Sequence, residues 1–304
     1  MHTLGAQRFS ARLDARLPVV IDGSVRGALL RAGADLEGPL GTAAVLSAEC
    51  HVLSSIHQRF CAAGVHVVRA NTAETTPRAL SRSGYGYRSA KLSSLAIDTA
   101  LSAVQASGRS IGVAGVQPPM DASDARLRGE QMAHAQRLMA AGADLIFVGP
   151  VRTLREAVAA TAAAVQTQLP VVVELDVDDD GNLPDGEGLD VVCGALAGAG
   201  ALGFLARPNG PSGEMRATVE LSTLGRPWGV LYAGGREMTP TEYAERALGL
   251  AEEGATLFGG DDICTPEHLR ALVGLLPGAE RELRTSLLPG AGGVNSLSNL
   301  PPRM

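Results

Sequence analysis

The sequence predicts one (β/α)8 barrel, a TIM barrel, over residues 1–277, followed by a flexible tail over 278–304. Three observations predict it. A unit made of an alanine-rich helix end, a glycine and a short apolar strand recurs along the chain, as in AAGVHVVRAN (Ala62–Asn71), AAGADLIFVGP (Ala140–Pro150), AGAGALGFLARP (Ala197–Pro208) and EEGATLFGGDD (Glu252–Asp262). Eight such strands can be counted, starting near Val19, His66, Ile111, Asp144, Pro170, Ala201, Trp228 and Ala255. No GxGxxG turn follows the first strand, which argues against an open dinucleotide-binding sheet.

Each part has a physical reason. Glycine takes the left-handed position that ends a helix, and a buried parallel strand follows at once. Between the strands, Ser89–Ser107, Ala125–Ala141, Leu154–Gln166 and Thr239–Glu253 carry helical periodicity. The last opens with Thr239-Pro240-Thr241-Glu242, a capped start with proline in the first turn. Alternating strands and helices imply a parallel sheet wrapped by helices, and 304 residues suffice for one barrel plus a tail.

Composition bounds the partners. The chain is 45% hydrophobic with a net charge of −6, and it has no basic run interleaved with aromatics, so nucleic acid is not an expected partner. The first eighteen residues are broken by arginines, and no apolar stretch approaches the ~20 residues of a membrane span. A cytoplasmic protein without membrane contact is expected, with a small molecule as its substrate. Cys50, Cys61, Cys193 and Cys264 form no CxxC pair and read as small buried apolar residues. The stretch Leu288–Met304 is rich in glycine, proline, serine and asparagine; it reads as a mobile tail or as an arm ordered against another subunit or a protein partner.

Several segments, in order, resemble the homocysteine S-methyltransferase family. They are VVIDGSVRGALLRAG (Val19–Gly33), HQRFCAAGVHVVRANT (His57–Thr72), AAGADLIFVGPVRTLREA (Ala140–Ala157), PVVVELDVDDDGNLPDG (Pro170–Gly186), ALGFLARP (Ala201–Pro208) and GATLFGGDDICTPEHLRAL (Gly254–Leu272). The resemblance implies a methyl transfer at the C-terminal ends of the strands. It also implies a zinc held by three cysteines, one after the sixth strand and two adjacent ones after the eighth, which keeps a substrate thiol as the nucleophilic thiolate. Here the matching positions are Ala206, Asp261 and Asp262, so the family zinc is expected to be absent. Gly149 stands where the family has a glutamate, and Leu205 where it has asparagine; Asp22, Asn71 and Thr72 keep the family pattern.

The barrel mouth instead gains acids. Glu174, Asp261 and Asp262 are expected to carry the chemistry, with Asp22, Asn71, Thr72, Asp176 and Arg207 contacting substrate. Asp261 and Asp262 act together only if the chain turns after Gly259-Gly260, because adjacent strand residues point apart. Three readings of the acids stay open: a hard-cation site, a seat for an amine-bearing substrate with a carboxylate base, or pairing with Arg69 and Arg207 without chemistry. S-adenosylmethionine or a similar sulfonium is the methyl donor to consider. His57, His134 and His268 fall on helical segments and read as surface or packing residues, and Cys264 precedes an ordinary helix start. Trp228 begins a strand at the wrong end for an aromatic cage, and Tyr232 stands alone at the right end. A catalytically silent, ligand-binding or partner-supporting barrel is the alternative function.

Overall fold

In the computed structural model, which describes residues 3–120, 125–232 and 238–276, eight parallel strands follow one another around a ring. They are β1 (Val19–Val20), β2 (Val67–Arg69), β3 (Gly112–Gln117), β4 (Leu145–Val151), β5 (Val171–Val177), β6 (Gly203–Pro208), β7 (Trp228–Tyr232) and β8 (Leu257–Gly260). Neighbours pair in sequence order from β2 to β8; β8 then pairs with β1, and an Ile21–Val67 bridge joins β1 to β2. The helices are α1 (Leu4–Asp14), α2 (Val25–Arg31), α3 (Ala43–Ala48), α4 (Cys50–Ala63), α5 (Pro77–Ser81), α6 (Ser89–Ser107), α7 (Ala125–Ala140), α8 (Leu154–Val165), α9 (Leu189–Gly198), α10 (Pro211–Thr223), α11 (Pro240–Glu252) and α12 (Pro266–Leu275). The predicted (β/α)8 class is the observed one. Most strands begin one or two residues after the predicted start, as β2 does at Val67 rather than His66. The 278–304 tail, and Ala233 after β7, lie outside the described residues.

Strand alternation sorts the side chains into two layers. Val19, Ile21, Val67, Ala114, Leu145, Phe147, Val172, Leu205, Leu231 and Leu257 pack together in the barrel interior. Val20, Val68, Val113, Ile146, Val173, Phe204 and Phe258, one position along, pack in the outer layer with the helices. The interior is therefore a solid core. Its base is sealed by α1, which inserts Phe9 and Leu13 into the same cluster. The sequence of Met1–Pro18 gives this role no clear signal, because the three buried apolar residues of α1, Ala6, Phe9 and Leu13, sit among arginines at i, i+4 spacing.

Local signals behave as their chemistry dictates. Thr239 and Glu242 form a reciprocal capping box at α11, with Pro240 in its first turn. Gly64 and Gly108 end α4 and α6 in the left-handed conformation. Among the described residues, no helix is long and apolar enough to cross a membrane.

Candidate active site

Arg69, on the inward side of β2, organises the C-terminal mouth. Its Nε donates to Asp22 Oδ1 at 3.0 Å and its Nη1 to Glu174 Oε1 at 2.8 Å. Its Nη2 donates to the backbone oxygens of Asp22, at 2.8 Å, and Gly260, at 2.9 Å. The Arg69 backbone N–H donates to Asp22 Oδ2 at 2.9 Å. One guanidinium thus ties together the ends of β1, β2, β5 and β8. All three side chains are buried, Asp22 completely and Glu174 to 5% exposure. Burial pushes the Asp22 carboxyl up to about 6, against the opposing pull of Arg69. Burial by itself would lower Arg69, but Glu174 and Asp22 hold its guanidinium above its ordinary value.

A second network continues the mouth along β5, β6 and the turn after β8. Arg207 Nη2 donates to Asp261 Oδ2 at 2.6 Å, and its Nη1 lies 3.3 Å from Asp176 Oδ1. Arg152 Nε lies 3.9 Å from the other Asp176 oxygen. Burial raises the Asp176 carboxyl, with Arg207 and Arg152 pulling the other way. Asp261 reaches this position because the chain turns after β8, as the glycine pair suggested. The Cys264 N–H closes the turn on the Asp261 carbonyl at 2.9 Å, and Cys264 packs so close to Gly260 that a Cβ there would lie 1.9 Å from the Cys264 Cβ.

Both networks border a cavity of about 260 Å³, lined among others by Arg69, Glu174, Arg207, Asp261 and Asp262. It is metabolite-sized, below the usual range of drug-sized pockets. Asn71 and Thr72 also line it, with the Asn71 amide nitrogen and the Thr72 hydroxyl engaged by backbone. Asn71 Nδ2 donates to the Thr42 carbonyl at 2.9 Å, while the Thr72 hydroxyl donates to the Val116 carbonyl and accepts from the Val116 N–H, both at 2.8 Å. Both residues pin loops at the mouth. Asp22 lies beneath Arg69 and Asp176 behind Arg207, and neither lines the cavity; their placement orients the arginines rather than a ligand. Asp262 is exposed on the rim. Sequence reading missed Ser24, Arg26, Thr42 and Glu74, which also line the cavity. Arg26 was the one within reach, since it follows Asp22 by four positions, just past the DG turn at the start of α2.

Gly149 lines the cavity with φ +140°, and a Cβ there would lie 2.6 Å from the Glu174 carbonyl oxygen. No side chain fits at position 149 of β4, and the inward carboxylate stands on β5. Ala206 points into the outer layer, away from the cavity, whereas Arg207 beside it points inward. Tyr232 packs edge-on against Tyr243 under Arg246, outside the cavity lining. His57 and His134 are buried packing residues of α4 and α7, while His268, also buried, caps α12 with Thr265 and bonds the Met238 carbonyl. Cys264 is buried, and burial pushes its thiol up to about 12.

A parallel eight-stranded barrel with a charged cavity at the C-terminal ends of its strands belongs to the class in which enzymes place their active sites. The chain belongs to the homocysteine S-methyltransferase family, whose profile matches residues 19–276, and it is accordingly a methyltransferase-like enzyme. Among solved structures it is similar to the homocysteine methyltransferase MmuM from Escherichia coli. The metallated form matches with TM-score 0.73 and 22% identity over 86% of this chain and 97% of that one. The oxidized form matches with TM-score 0.74 and 20% identity over 90% and 99%. Phosphonopyruvate hydrolase in complex with oxalate and Mg++ shares the barrel at TM-score 0.51 and 14% identity, over 94% and 86%. At these identities the structural likeness concerns the fold. No curated protein matches the chain significantly.

A thiolate-held zinc does not fit the residues present. Ala206 offers no donor, Asp261 is engaged by Arg207, and the nearest thiol, Cys264, is held protonated by burial. Among the described residues no group of three or more His, Cys, Asp or Glu side chains is placed to hold a metal ion.

Proposed function

We propose that the chain is a divergent homocysteine S-methyltransferase-like enzyme that transfers a methyl or alkyl group to a small molecule without thiolate-bound zinc. The observation that carries this reading is the Glu174 carboxylate at the cavity wall, fixed through Oε1 by Arg69 while Oε2 receives no hydrogen bond from the described residues. A carboxylate fixed through one oxygen can take a proton, or hold a substrate ammonium, with the other.

The chemistry needs little else. A thiol or amine of the acceptor gives its proton to the carboxylate. Its lone pair forms a bond to the methyl carbon of a sulfonium such as S-adenosylmethionine. The carbon–sulfur bond of the donor breaks, and the donor leaves as a neutral thioether. Without a metal, a thiol of pKa ~8.5 is still roughly 3% thiolate at pH 7, a deficit of about 2 kcal/mol. Orientation of two bound reactants contributes more than that, up to ~7 kcal/mol or beyond. Glu174 and Asp261 are the proposed acid–base residues, Asp262 stands at the rim, and Arg207 positions Asp261.

The test is methyl transfer from S-adenosylmethionine to homocysteine and to amine acceptors, with chelator present and metal content followed by native mass spectrometry. Chelator-resistant turnover that Glu174→Gln abolishes is expected. Stoichiometric metal whose removal stops turnover would sink the zinc-free reading. The alternative is a silent ligand-binding or partner-supporting barrel, favoured by the Arg69–Glu174 and Arg207–Asp261 pairs, which neutralise the mouth internally. Ligand-induced stabilisation without turnover of any acceptor would select it.

A further inference from the structure

Three arginines line the mouth cavity, and their situations differ. Arg69 is buried and every one of its nitrogens is engaged by Asp22, Glu174 or a backbone oxygen. Arg207 is held between Asp261 and Asp176. Arg26, the second residue of α2, is exposed and, among the described residues, makes no ion pair or hydrogen bond. It is the cation of this lining left free for a ligand.

Arg26 also stands across the mouth from Glu174. Arg26 follows β1, and Glu174 stands on β5. On a closed ring of eight strands in sequence order, β1 and β5 are four strands apart and lie across the mouth from each other. A ligand spanning the cavity meets an unengaged carboxylate oxygen at one end and an unengaged guanidinium at the other. A guanidinium pairs with a carboxylate or phosphate through two parallel N–H donors, which fixes orientation as well as affinity.

We propose that Arg26 is a specificity-determining residue that reads an oxyanion, carboxylate or phosphate, at the end of the ligand pointing to the β1–α2 turn. The inference rests on the mouth being a small-molecule site, and it assigns the chemical class of one end of that molecule.

Calorimetric titration of the full chain with three amine-bearing probes tests it: homocysteine, which carries a carboxylate; phosphoethanolamine, which carries a phosphate; and aminopropanethiol, which carries neither. The expected result is that one oxyanion probe binds about tenfold or more tightly than aminopropanethiol, that the tighter one names the oxyanion, and that Arg26→Gln removes the preference. An unchanged melting temperature of Arg26→Gln, expected for an exposed residue without partners, shows that the loss is not one of folding. Equal binding of all three probes, or a preference that survives in Arg26→Gln, overturns the role of Arg26 and leaves the site itself standing. Binding of none of them overturns both.

Discussion

Replacing Arg69 by methionine is the sharpest test of how the mouth is built. Methionine keeps an unbranched apolar stem of comparable reach but removes four donated hydrogen bonds: to Asp22 Oδ1 at 3.0 Å, to Glu174 Oε1 at 2.8 Å, and to the Asp22 and Gly260 carbonyls at 2.8 and 2.9 Å. Asp22 is 0% exposed, so its charge is left without water or a counterion. Breaking a buried pair in this way costs about 3–5 kcal/mol. Unfolding entropy of ~2.1 cal/mol/K per residue over a barrel of this size converts that to a fall in Tm of roughly 5–10 °C. The pH dependence identifies the cause. Without Arg69 the folded-state pKa of Asp22 rises further above its unfolded value, so the folded variant binds a proton that the unfolded chain releases. The deficit relative to the parent must therefore shrink as pH falls from 7.5 towards ~5. The triple variant Asp22→Asn/Arg69→Met/Glu174→Gln, which removes the stranded charges, should lose less than Arg69→Met alone. Denaturant titrations at several pH values give each number. A loss below ~1 kcal/mol, or one indifferent to pH, would refute the placement of Arg69 as the counterion.

Further expectations follow from other parts of the barrel. Burial lowers His57 to about 4 and His134 to about 3. Both contributions to stability are therefore complete above ~6.5 and decline as pH falls, because the unfolded chain binds protons that the native core refuses; His57→Leu should flatten that slope in urea titrations between pH 7 and 5. Gly149→Ala combines φ +140° with a Cβ placed 2.6 Å from the Glu174 carbonyl oxygen, so a loss of about 2 kcal/mol or more and disturbed ligand binding are expected; a neutral variant in both assays would contradict the close approach. Phe9→Ala removes a ring that is 4% exposed from the base of the barrel and should cost about 3–5 kcal/mol while leaving probe binding at the mouth unchanged once folded; a loss under ~1 kcal/mol would show that α1 does not seal the core.

The fold was legible because its signals are local. A glycine that ends a helix and an apolar strand that follows are neighbours in sequence, and α6 runs over Ser89–Ser107 as its periodicity predicts. The site was legible only in part. The positions of Glu174, Arg207 and Asp261 follow from which strand ends they occupy. Their partners do not, because Arg69 and Asp22 are 47 residues apart and Arg69 and Glu174 are 105. Nothing in the sequence distinguishes an Asp22 that faces a ligand from one held beneath an arginine. Asn71 and Thr72 show the same limit: their side chains are engaged by backbone at Thr42 and Val116, contacts created only when the loops assemble. The α1 plug escaped notice because a short amphipathic helix gains its meaning from the hole it fills.

That plug has a consequence for traffic. With Phe9 and Leu13 filling the base and a solid interior above them, a ligand of the proposed site would reach it from the C-terminal side of the strands. In the proposed methyl transfer, donor and acceptor would then approach from the same side of the molecule, the side that the charged mouth faces.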